Sequence, residues 1–219
     1  MLVYGVTTFT VGLIWVSYLK LTKQPLLITQ PGLLYSLGTN LLHLQVESKT
    51  EKEIEQRLFD LEDDDFHVRE MARWKLASIG SEAVPALLHQ LKTDKQHCRW
   101  EAAKILGEIR DELAAEALVE ALLDESVNVH WAASESLIKY GQDAILPLLE
   151  GIIRHFDSMR FRQGAFHILH ALESSHMLEP KVQEVLDALG NIEPSASAPW
   201  AAERAIEYFK FQQKQEQLE

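Results

Sequence analysis

Only one cysteine, Cys98, stands among the 219 residues, which excludes an internal disulfide framework. Cations are scarce as well: 21 Lys and Arg face 33 Asp and Glu, for a net charge of −12. A protein that tracks a phosphate backbone needs the opposite sign, so nucleic acid is not an expected partner. Acids are missing altogether before Glu47; Lys20 and Lys23 give the first 46 residues +2 and leave −14 for the rest. The chain has no P-loop, no glycine-rich dinucleotide turn and no Gly-x-Ser-x-Gly elbow, so no catalytic residue and no cofactor is assigned.

What the chain does have is a pattern that returns. Val68-Arg69-x-x-Ala72-x-x-x-Leu76-x-x-Ile79 reappears as Cys98-Arg99-x-x-Ala102-x-x-x-Leu106-x-x-Ile109, and twice more downstream. The anchor alanines are Ala72, Ala102, Ala133 and Ala165, with steps of 30, 31 and 32 residues. That period marks stacked supersecondary units. Each unit reads as two short helices, the second carrying the anchor stripe and the first visible at 83–91 and 144–152. Gly80 and Gly141 fall between helices, where positive φ is wanted, and Pro85 and Pro147 fall near helix starts. Neither helix buries its stripe alone, so neighbouring units must stack. A large residue in place of Ala102 or Ala133 is expected to cost about 1–3 kcal/mol by overpacking. Cys98 shares its repeat position with Val68, Val129 and Phe161 and is expected to be a buried apolar residue.

The residues from about Glu51 to Phe209 resemble the HEAT-like repeats first named for phycobilisome lyases. The resemblance rests on 99–109, RWEAAKILGEI, with 129–133, VHWAA, and 162–169, RQGAFHIL. It implies an all-α, right-handed α-solenoid of four to five helix pairs and says little about chemistry. Related uses include scaffolds, bilin lyase subunits or chaperones acting on a phycobiliprotein, and helical di-iron hydroxylases. The hydroxylases are marked by His-Glu dipeptides, and this chain has none: Trp100-Glu101 stands where His-Glu would be. His167 and His170 are spaced to share a metal, but no metal site is assigned.

Four segments follow. Residues 1–20 are expected to be a transmembrane anchor, 21–49 a leucine-rich connector or cap, 50–211 the solenoid and 212–219 a polar tail. From Leu2 to Leu19 nothing ionises near neutral pH, and eighteen helical residues span about 27 Å, close to a bilayer's hydrocarbon thickness. Tyr4, Trp15 and Tyr18 lie toward the ends, and Lys20 and Lys23 place the solenoid on the cytoplasmic side of a single-pass protein. The other reading is a segment that caps the solenoid in a cytoplasmic protein. Thr50-x-x-Glu53 reads as a capping box, 190–199 as a turn-rich linker, and 200–206 as a restart of the motif in a terminal helix.

In such a solenoid the second helices are expected to line the concave face. The residues just ahead of each anchor alanine then form a protein-binding surface: Arg69, Arg99, Trp100, His130, Trp131, Arg162 and Gln163, with Trp200 continuing the row. Aromatic and Arg anchors dominate such surfaces. The competing reading gives these side chains to packing between repeats, with Arg bridging acids such as Asp65 or Asp94. The expected function is a non-catalytic, membrane-tethered scaffold or assembly factor that binds another protein, with the bilin-lyase-like role as the alternative.

Overall fold

The computed structural model describes residues 49–217, and from Ile54 onward they belong to one compact unit. Among the described residues every regular element is helical. α1 covers 49–60. It is followed by α2 (Phe66–Ile79), α3 (Val84–Gln90), α4 (Gln96–Ile109), α5 (Glu112–Glu120), α6 (Val127–Tyr140), α7 (Ile145–Arg154), α8 (Met159–Ser174), α9 (Pro180–Leu189) and α10 (Pro194–Glu216). No described helix is long and apolar enough to cross a membrane. The anchor expected at 2–19, and the connector through residue 48, lie outside the described residues.

The local signals explain the helix ends. Asp65, Asp111 and Ser158 cap α2, α5 and α8 by accepting main-chain N–H bonds. Gly80 and Gly141 adopt φ of +76° and +60° and lead into 3₁₀ turns, as the repeat pattern indicated. At the equivalent junction after α4 the left-handed residue is Arg110. Thr50 lies inside a helix already formed at residue 49, not at its start.

Two rows of helices result. The second helices α2, α4, α6 and α8 pack each on the next, and the first helices α3, α5 and α7 form the parallel row. The anchor alanines Ala72, Ala102, Ala133 and Ala165 are all fully buried between the rows. Small residues let the second helices come close: a Cβ on Gly107 would meet Ser136 Cβ at 2.6 Å. Ser136 Oγ crosses the same gap to donate to Ala103 O at 2.8 Å. Tyr140 donates to Leu106 O and Asp111 O, and burial, then the Asp111 charge, pushes its phenol up to about 12.

The last pair departs from the pattern. α9 lies against α8, whereas α10 packs across α9 and onto α7, in the first-helix row. Ala198, Ala201, Ala202 and Ala205 are the buried small residues of α10, and the α7 helix it packs on has Leu148, Leu149 and Ile152 fully buried. Three sequence expectations change as a result. Residues 194–199 are helix, not linker: Pro194 opens α10, and Pro199 leaves without its usual partner only the carbonyl of exposed Ser195. The tail at 212–216 is an exposed continuation of the same helix. Trp200 sits on α10, so it does not extend the second-helix row.

Candidate functional site

The residue three before each anchor alanine turns back on its own loop. Arg69 donates from Nη1 to Asp63 O and Asp64 O at 2.7 and 2.9 Å. Arg99 repeats this with Thr93 O and Asp94 O, both at 3.0 Å. Arg162 reaches Phe156 O, and His130 Nδ1 lies 2.7 Å from Leu122 O. These four heads satisfy carbonyls at the entry to each second helix, where few other donors are available. Arg99 does more. Its Nε and Nη2 grip both oxygens of Asp124 in the next repeat, at 2.7 and 3.0 Å, with side chains only 10% and 11% exposed. The acid bridged most closely is therefore Asp124, with exposed Glu125 at 3.8 Å; Asp65 caps α2, and Asp94 contributes its carbonyl. The Asp124 bond holds the Arg99 guanidinium above its usual range. Burial pulls the Asp124 carboxyl up, but the Arg99 bonds, the Ser126 amide and the Arg99 charge together hold it below the usual range.

The residues two before each alanine behave differently, for they face outward. Trp131 is 54% exposed and lies against His167, ring centroids 4.7 Å apart. Trp100 is half-buried beside His97, and Gln163 is exposed at the equivalent position on α8. One turn further along each helix the same stripe carries Trp74, Lys104, Glu135 and His167. Trp74 is 59% exposed, and the motif reading missed it. The signal was there, since residue 74 is the i+4 neighbour of 70 on the face that Trp100 and Trp131 mark. The seven expected binding residues thus divide: Trp100, Trp131 and Gln163 share an open face, while Arg69, Arg99, His130 and Arg162 spend their polar groups inside the fold.

A family model for HEAT repeats matches residues 52–138 and, overlapping it, 98–173. The chain belongs to the HEAT-repeat family. The match is to HEAT repeats in general and does not single out the phycobilisome-lyase type. The chain matches no curated protein.

Within the HEAT array, contacts between successive repeats are partly ionic. Arg73 on α2 gives a two-point bridge to the fully buried Glu101 on α4, at 2.8 and 3.0 Å, and Lys139 reaches Glu108. Cys98 is buried as expected, but its role is not purely apolar: the thiol donates to Glu62 Oε1 at 3.4 Å. Burial, then the Glu62 bond, pushes that thiol up, which disfavours the reactive thiolate. His167 and His170 serve separate partners, Glu135 at 3.0 Å and Glu173 at 3.3 Å. What the arrangement offers is aromatic surface on stacked helices: Trp74 and Trp131 are more than half exposed, and Trp100 lies partly buried between their repeats.

Proposed function

We propose that this HEAT-repeat protein is a non-catalytic scaffold or assembly factor that holds a partner protein on the open stripe of its second helices. The observation that carries the reading is the pair of exposed tryptophans, Trp74 and Trp131, on the face that also carries half-buried Trp100. Exposed aromatics grouped on a rigid face mark interaction surfaces, and stacked helices limit the entropy lost on binding. A photo-crosslinking residue placed at Trp131, and separately at exposed Leu113 on the first-helix side, tests it. A discrete adduct from 131, absent from 113 and lost with Trp100→Ala, is the expected result. Capture from both positions or from neither sinks the reading.

The proposal includes tethering to a membrane through Leu2 to Leu19, with Lys20 and Lys23 on the cytoplasmic side. Support comes from the unbroken uncharged run and its aromatic ends. Carbonate extraction of the full chain beside a chain starting at Glu47 checks it. Retention of the full chain alone in the pellet is expected; extraction of both removes the tether.

A further inference from the structure

The second helices that carry the open stripe are richer in cations than in acids, although the stripe itself holds one cation, Lys104, beside Glu70 and Glu135. The four second helices α2, α4, α6 and α8 hold eight Lys and Arg against five Asp and Glu, in a chain of net charge −12. Most of these cations have partners within the fold, but Lys104 does not. Its ammonium lies 4.2 Å from the centroid of the Trp100 ring, and among the described residues it forms no ion pair. The two acids whose charges reach it are committed elsewhere, Glu101 to Arg73 and Glu108 to Lys139. Burial, then the Arg73 charge, lowers the pKa of Lys104. The cation is thus held half out of water beside another cation, a cost that the Trp100 face offsets in part.

We propose that Lys104 and Trp100 form a recognition site for the carboxylate of an Asp or Glu side chain in an acidic peptide segment of a partner protein. The inference rests on the scaffold reading and specifies the partner's chemistry. An incoming carboxylate would neutralise Lys104 in a partly desolvated setting, where a charge-assisted bond is worth most. The peptide carrying it would lie along Trp100. Beside that ring a shallow cleft lined by Gln96, His97 and Asn128 supplies further polar groups, while the Arg73 guanidinium, 6.0 Å from the ring centroid, stays bound to Glu101.

The test uses the full chain and a fluorescein-labelled 12-residue peptide of alternating Glu and Gly, read by anisotropy. Its Gln-Gly counterpart and an oligouridylate of equal length serve as competing probes. The Glu peptide should bind more tightly than both. Lys104→Gln should weaken it roughly fivefold or more, the effect of losing one charge-assisted contact. Lys104→Arg should keep it, and Lys92→Gln, an exposed change beside the first-helix row, should leave it unchanged. Lys104→Gln should melt no lower than the natural protein, since it removes an uncompensated charge. Equal binding of Glu and Gln peptides, tighter binding of the oligouridylate, or equal losses from Lys104→Gln and Lys92→Gln would overturn the proposal. Crosslinking from position 131 separates the two readings: an adduct that persists in Lys104→Gln leaves the scaffold standing and removes the carboxylate site.

Discussion

Arg99 shows how much one side chain can join. Its guanidinium closes the turn at Thr93 and Asp94 and clamps Asp124 of the following repeat. Replacing it with Ala strips a largely buried carboxylate of its counter-charge, leaving it only the Ser126 amide, and leaves two carbonyls without this donor, so Arg99→Ala should cost about 3 kcal/mol in urea unfolding. Arg99→Lys should recover only part of this, because an ammonium cannot grip two oxygens in one plane. The pair also sets a pH dependence. The folded-state pKa of Asp124 is depressed, so its contribution is present above the unfolded value of about 3.9 and is lost as the pH falls through the folded one. Asp124→Asn should therefore lower stability at neutral pH and flatten its decline below about pH 4, as unfolding followed across that range will show. The repeat spacing placed Arg99 correctly, beside its partners in recognition or in packing. It could not tell these apart, because the partners are main-chain carbonyls and an acid 25 residues away, neither of which has a helical period.

At the scale of the element, the close approach of α4 and α6 is set by Gly107. Gly107→Ala would ordinarily favour a helix by about 1 kcal/mol. Here the added carbon would meet Ser136 Cα at 3.0 Å as well as its side chain, and a backbone atom cannot swing aside. A net loss of about 1–2 kcal/mol is expected from denaturation, and Ser136→Gly should relieve part of it in a double-mutant cycle. The anchor alanines were legible from their period, and so were the turns at Gly80 and Gly141. The course of 194–199 was not. Two prolines with serines between them read as a break, yet Pro194 starts a helix, and the packing of Ala198 and Ala201 against α7 and α9 outweighs the loss at Pro199.

For the molecule as a whole, the reversed final pair matters most. In a regular solenoid each helix packs on its own row, so the final second helix would cover α8. Here α10 covers α7, two helices back from its own partner α9. A chain ending at Gly190 should therefore uncover Leu148, Leu149 and Ile152, bind a hydrophobic dye, lose amide protection in α7 and melt about 10 °C lower or more. Unchanged protection in α7 would show that α10 contributes little there. The sequence carried the number of repeats but not this reversal, because Trp200-Ala201-Ala202 has the same motif phase whichever row receives it. The turned-over end also fixes where the ladder can grow. A copied rung appended after α10 would find neither row in register, whereas one inserted among the first four pairs would meet matching neighbours on both sides. At that end the described array closes on itself, and copies of its unit fit between the first four pairs rather than after α10.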